Sequence, residues 1–424
     1  MQPQLMALGL SSLGRLESRV FPTLNAVRSA LAAMCGTHHG SCHAADDYFA
    51  GALRLEVRTR ELFGPAKPGR QVALLVTCPT EAATDPSFMG NLVTRGVEAI
   101  RINCAHDGPD AWMRMLEHVH AAEADAGYHM QVFMDLAGPK IRTGNVKANH
   151  RVKRVFPGDR LAMVPPGEID RPVPSDVAFT FECTLAEAVA QARTDQRIII
   201  DDGKIIARIS AIYNGTLIAV VERCNDEGVK LKPEKGVNFP DSDLEISALT
   251  SKDREDLAFI AAHANGVEFS FVQSADDVLL LQDALQQLRP DDWNSLWLVL
   301  KIETALAVRN LPEILVCAAA RQPVAIMIAR GDLAIEIGFA RLAEMQEEIL
   351  WIAEAAQVPV IWATQVLEQL VKEGMPNRGE LTDAAMSARA ECVMLNKGPY
   401  LLEAIDVLSH LLERMEDHMH KKTP

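Results

Sequence analysis

Positive charge is in short supply in this sequence. Over 424 residues, 42 Lys and Arg stand against 57 Asp and Glu, for a net charge of −15. No basic stripe runs along any segment, which argues against a nucleic-acid surface. Anionic small molecules stay open, because a local basic pocket works inside an acidic protein. Cysteines in paired spacing are lacking as well. The eight, at 35, 42, 78, 104, 183, 224, 317 and 392, are scattered, and several lie in apolar runs where a reduced thiol is a small hydrophobe. No stretch reaches the roughly eighteen uninterrupted apolar residues that a membrane helix needs. The N-terminus has no basic start, apolar core or small-residue cleavage site of a secretory leader. A cytoplasmic protein without nucleic-acid or membrane partners is expected. The 48% hydrophobic and 23% charged residues describe a globular chain, long enough for two or three domains.

What is present is an alternation. Short apolar, β-branched runs at 71–77, 99–103, 131–136, 267–271, 296–303, 324–329, 358–364 and 391–395 are mostly followed by amphipathic helical patterns, such as 342–356. Eight strand–helix units predict an α/β fold, a parallel (β/α)8 TIM barrel. One connection breaks the rhythm. Residues 145–236 read as all-β, with turns at Phe156-Pro157-Gly158-Asp159 and Tyr213-Asn214-Gly215 between alternating segments. They are expected to form a small β-barrel domain inserted after the third strand. Segments 69–144 and 237–424 remain for the barrel, about 260 residues against the ~250 typical. Residues 1–68 form an N-terminal helical extension: Leu13, Leu16, Val20, Leu24, Val27 and Leu31 recur at helical spacing, interrupted near Pro22. Packing on the barrel or on a neighbouring subunit is its plainest role. Cys35, His38, His39, Cys42 and His43 crowd together there, but in no standard zinc spacing, and a polar loop is the favoured reading.

Barrel enzymes carry their chemistry at the C-terminal ends of strands. Here those ends carry Arg101, Asn103 and His106 after the second strand, and Asp135, Lys140 and Arg142 after the third. The fifth gives Lys301 and Glu303, the sixth Gly331 and Asp332, and the seventh Thr364. Each alone has a dull explanation, such as a neighbouring ion pair or a helix cap. Together on one rim they point to an ion-dependent site for a phosphorylated or carboxylated molecule, since buried charges are costly unless paired or bound to a metal or anion.

From about residue 72 to 414 the chain resembles the pyruvate kinases. The runs are Arg101-Ile-Asn-Cys-Ala-His106, Gly138-Pro-Lys-Ile-Arg-Thr-Gly144, Asp201-Asp-Gly203, Lys235-Gly-Val-Asn238 and Ser270-Phe-Val272. They continue with Lys301-Ile-Glu303, Ala329-Arg-Gly-Asp-Leu333, Ala363-Thr-Gln365 and Val393-Met-Leu395, in family order and spacing. The resemblance implies phosphoryl transfer from phosphoenolpyruvate to ADP, giving pyruvate and ATP. It implies that Glu303 and Asp332 hold Mg²⁺ or Mn²⁺, a hard cation wanting oxygen ligands. Lys301 and Arg101 would neutralise the phosphoryl oxygens, with Arg142 a further cation beside them. Gly331 and Asp332 amides would hold the substrate carboxylate. Thr364 would help route the proton that completes pyruvate. Asn103, His106 and Lys235 match nucleotide-proximal positions, and the β insert would act as a lid.

Several positions depart from that pattern. Potassium-dependent relatives bind K⁺ through Asn, Ser, Asp and Thr. Asn103 and Asp135 remain, but Ala105 and Leu136 replace the other two, and Lys140 stands where glutamate is usual. Catalysis without K⁺ is therefore expected, with the Lys140 ammonium in the vacant charge position. Thr77-Cys-Pro-Thr-Glu81 and Asn396-Lys-Gly-Pro399 replace the usual first and last motifs. The matching residues end near the barrel's last helix, so activation through the family's C-terminal sugar-phosphate domain is not expected. A homo-oligomer would assemble differently, for instance through the N-terminal helices. Two other readings stand beside the kinase: a Mg²⁺-dependent oxoacid lyase or aldolase on a similar barrel, and a catalytically impaired regulatory relative.

Overall fold

The computed structural model describes residues 19–37, 45–150 and 153–419, with residues 4, 5, 8, 10 and 16 before them. Three strands open the barrel: β1 (Ala73–Thr77), β2 (Ala99–Asn103) and β3 (Gln131–Asp135). Seven follow in the insert: β4 (Thr143–Ala148), β5 (Arg160–Val164), β6 (Val177–Cys183), β7 (Arg197–Ile200), β8 (Ile205–Tyr213), β9 (Thr216–Cys224) and β10 (Val237–Asn238). The chain then returns to the barrel with β11 (Gly266–Phe269), β12 (Trp297–Ile302), β13 (Val324–Ala329), β14 (Val360–Ala363) and β15 (Cys392–Leu395). Around the closed barrel the order is β1-β15-β14-β13-β12-β11-β3-β2, all neighbours parallel.

These strands are continuous apolar runs because both faces are covered. Outward residues such as Leu74, Ile100, Leu298, Ile326 and Trp362 pack against the helices. Inward residues Leu75, Ala99, Phe133, Val299, Met327 and Ile361 fill the lower barrel. Four strands end one or two residues sooner than their apolar runs suggest, two of them at a left-handed residue. Phe271 and Thr364 take φ of 57° and 63°, a left-handed conformation that stops the ladder.

The insert is a curled sheet of order β10-β7-β8-β9-β5-β6-β4, with its own core around Phe179, Phe181, Ile198, Ile209 and Leu217. Its two ends meet at the neck. Arg142 bridges Gly236, and the Val237 amide donates to the Ile141 carbonyl at 2.9 Å.

The N-terminal extension forms helices Val20–Met34 and Ala45–Phe63, and Pro22 sits in the first turn of the former, where a missing N–H costs nothing. The second helix ends in Leu62 and Phe63, which plug the barrel's N-terminal mouth inside the same cluster as Phe133 and Val299. The extension thus packs on its own barrel. Of the Cys/His cluster, Cys35 is exposed, and His38, His39, Cys42 and His43 lie outside the described residues. Among the described residues no helix is long and apolar enough to cross a membrane.

Glu391, just before β15, accepts the Val360 amide at 2.8 Å and feels another carboxylate, Glu354. Burial pushes its carboxyl up to about 7. The folded state therefore keeps a proton that the unfolded chain releases near its ordinary carboxyl value. The contribution to stability is complete below that value and is lost as pH rises through 7. Glu391→Gln keeps the acceptor and removes the titration. It is expected to be more stable than wild type by about 1–2 kcal/mol at pH 8 and equal to it near pH 4.5, measured by urea unfolding. Equal midpoints at both pH values would overturn this.

Candidate active site

Period-two alternation sends every second strand residue into the barrel. In the lower layers those residues are apolar; near the C-terminal ends they are Thr77, Arg101, Asp135, Glu268 and Lys301. Four of them are charged yet almost solvent-free, with Arg101 8%, Asp135 2%, Glu268 0% and Lys301 7% exposed. Strand register sets Thr77 beside Arg101, and Asp135 beside Glu268.

The charges form one network. Arg101 donates to Glu268 Oε2 at 2.9 Å through Nε, to Thr77 Oγ1 at 3.1 Å through Nη1, and to Asp135 through Nη2. Lys301 Nζ donates to Asp135 Oδ1 at 3.0 Å and Ser270 Oγ at 2.7 Å, and lies 3.3 Å from Glu303 Oε1. Burial works against the Lys301 ammonium, but Asp135 and Glu303 outweigh it and hold its pKa up. Asp135 is likewise kept below the ordinary range, burial being overcome by Arg101 and Lys301. Glu268, like Glu303, goes the other way. Burial pushes it up to about 7, and among the described residues its Oε1 has no hydrogen-bond partner.

The network opens onto a cavity of about 400 Å³. Its lining includes Arg101, Asn103, His106, Asp135, Lys140 and Arg142 from the β2 and β3 ends. Lys301, Glu303, Asp332 and Thr364 line it from the other side. Lys235 does not. It pairs with Asp201 in the insert at 3.1 Å. Arg142 is held at the neck, its Nη1 donating to the Glu234 carbonyl at 3.2 Å. Asn103 turns its Oδ1 to the Ala105 amide at 2.9 Å. Burial, then the neighbouring Lys397, lowers the His106 pKa.

Across the cavity, Glu303 is 3% exposed and its Oε2 accepts the Phe271 amide at 2.7 Å. Burial raises its pKa, Lys301 opposes this, and the charge of Asp332 raises it further. Both carboxylates line one cavity, and the Asp332 charge is felt at Glu303. Among the described residues no group of three or more His, Cys, Asp or Glu forms a metal site. A two-carboxylate, all-oxygen set fits Mg²⁺, which keeps waters and substrate oxygens as its other ligands.

The helix Arg330–Ile337 opens directly from β13. The Gly331 amide donates to Thr364 Oγ1 at 2.7 Å, so an oxygen acceptor already sits at this helix start. Arg330 is structural: it donates to the carbonyls of Ala363 at 3.1 Å and Thr364 at 2.6 Å, and to Asp383 Oδ2 at 2.9 Å. These bonds hold Thr364 in its left-handed conformation. Gly138 has φ 65° and is closely packed; a Cβ there would come within 2.8 Å of Phe271 and 2.9 Å of Ser270.

The Lys140 ammonium rests on Asp332, at 2.9 Å from Oδ1 and 3.0 Å from Oδ2, not beside Asn103 or Asp135 where the sequence suggested it. Asp135 is already held by Arg101, Lys301 and Ser270. Sequence reasoning missed Glu268 and Thr77 as members of the network. The available signal for Glu268 was a lone acid at an inward position of Gly266-Val-Glu-Phe269.

The comparisons agree with this geometry. Residues 70–405 match the family described as pyruvate kinase, barrel domain. A pyruvate kinase of Agrobacterium vitis is 32% identical over 351 residues, covering 80% of this chain and 67% of that protein. One from Naumovozyma castellii is 30% identical over 349 residues, 77% of this chain and 63% of its own. One from Aeropyrum pernix is 29% identical over 340 residues, 78% and 68% respectively. With a family model matched over most of its length and a relative 32% identical over 80% of it, the chain belongs to the pyruvate kinase family.

Proposed function

We propose that this chain transfers the phosphoryl group of phosphoenolpyruvate to ADP, with Mg²⁺ and without K⁺. One observation carries the reading: buried Lys301 and Arg101 open onto the same cavity as the carboxylates Glu303 and Asp332. Family membership supports it. In such a transfer the protein supplies position and charge stabilisation rather than covalent chemistry. Lys301 and Arg101 are fixed by buried acids before substrate arrives, so they stabilise the equatorial oxygens without reorganising. Mg²⁺ on Glu303 and Asp332 would supply Lewis acidity toward the phosphoryl and enol oxygens. The amides at the start of helix Arg330–Ile337 would hold the substrate carboxylate, taking it where Thr364 Oγ1 now accepts. Thr364 would then be free to relay a proton through water to the enolate carbon. Asn103, His106 and Lys235 would approach the nucleotide, and the insert would exclude water from the transferring group. The free cysteines suit a reducing cytosol.

Independence of K⁺ is supported by the fixed charges. Asp135 has two cationic partners, and Ala105 and Leu136 offer no side-chain oxygen. The test is pyruvate formation from phosphoenolpyruvate, ADP and Mg²⁺ in K⁺ or Na⁺ buffer. ADP-dependent pyruvate at rates within about twofold in the two buffers is expected. Multi-fold stimulation by K⁺ would contradict the cation reading, and ADP-independent turnover the kinase itself.

A further inference from the structure

Both roots of the inserted sheet are tied to one short helix. Asp332 and Glu336 stand one turn apart on Arg330–Ile337. Asp332 takes Lys140 from the entering root on both of its oxygens, at 2.9 and 3.0 Å. Glu336 Oε1 takes Asn238 Nδ2 from the leaving root at 2.9 Å. A small cavity of about 80 Å³ separates the roots from the helix, lined among others by Ile141, Phe239, Asp332 and Glu336. Two residues before Lys140 the chain is pinned, because Gly138 packs directly on Ser270 and Phe271. The long Lys140 side chain can swing from a backbone that cannot.

We propose that Lys140 is an internal competitor for the divalent cation at Asp332. The inference rests on Asp332 as a metal ligand. An ammonium on both carboxylate oxygens cannot coexist with an ion that approaches the same oxygens more closely and carries twice its charge. The pair is breakable: its side chains are 33% and 22% exposed, and partly solvated ion pairs are weak.

The test is calorimetric titration of the full chain with Mn²⁺, without substrate, for wild type, Lys140→Met and Asp332→Asn. Lys140→Met should bind Mn²⁺ about tenfold more tightly, since a positive charge leaves the site. Asp332→Asn should bind far more weakly than wild type. Equal affinity in wild type and Lys140→Met, with Asp332→Asn still weak, would overturn the competition and leave the metal reading standing. Full affinity in Asp332→Asn would overturn both.

Discussion

Lys301→Met is expected to lower the rate of pyruvate formation by at least about 10²–10³-fold and still yield a folded protein. The ammonium sits in a water-excluded site, 3.0 Å from Asp135 Oδ1 and 3.3 Å from Glu303 Oε1. There it acts on a transferring phosphoryl group with little solvent screening. Methionine follows the side chain out to Cε and removes the Nζ with its charge and donors. Asp135 keeps Arg101 and the Ser270 hydroxyl, and Glu303 keeps the Phe271 amide. Glu303 loses its ammonium neighbour, and its already raised pKa is pushed further up. A stability loss of about 1–3 kcal/mol follows. Divalent cation should recover part of it by binding the freed carboxylate, and thermal unfolding with and without Mg²⁺ measures this. Turnover within tenfold of wild type would remove Lys301 from the mechanism.

The barrel was legible because each of its strands is buried on both faces. Such a strand is written as an unbroken β-branched run, and Val324–Ala329 and Ala99–Asn103 match their predicted limits. The insert was legible for the opposite reason, since its alternation and Pro/Gly turns mark a half-solvated sheet. The mismatches share a cause. Phe271 and Thr364 extend apolar runs yet turn left-handed, held by the Glu303 carboxylate and the Arg330 guanidinium, which no local pattern encodes. Lys140 was placed by its match to a glutamate position of the family, but its partner lies 192 residues away. The helical period of the extension predicted packing. That its last two residues would plug the barrel depended on the bend at Gly64, with φ 83°.

Arg101→Met is expected to damage stability and turnover together, and a second substitution should separate the two. Arg101 is the cation hydrogen-bonded to Glu268, which is fully buried and already lacks a partner on Oε1. Removing one partner of a buried pair costs about 3–5 kcal/mol. Protonation softens that loss. Glu268 sits at about 7 with Arg101 present, and losing the guanidinium raises it further. The folded variant thus holds a proton that the unfolded chain gives up, so the defect grows as pH rises and is largest near pH 8. In Arg101→Met/Glu268→Leu the stranded acid is gone and two apolar groups replace the pair. Stability should return to within about 1–1.5 kcal/mol of wild type, since such replacements are often neutral. Turnover should stay depressed by about 10²-fold or more, because the phosphoryl oxygens still lack one of their two fixed cations. Urea unfolding at pH 5.5 and 8 and the pyruvate assay read the two effects apart. Recovery of turnover in the double variant would make Arg101 a strut for Glu268 and leave Lys301 as the buried cation facing the transferring group.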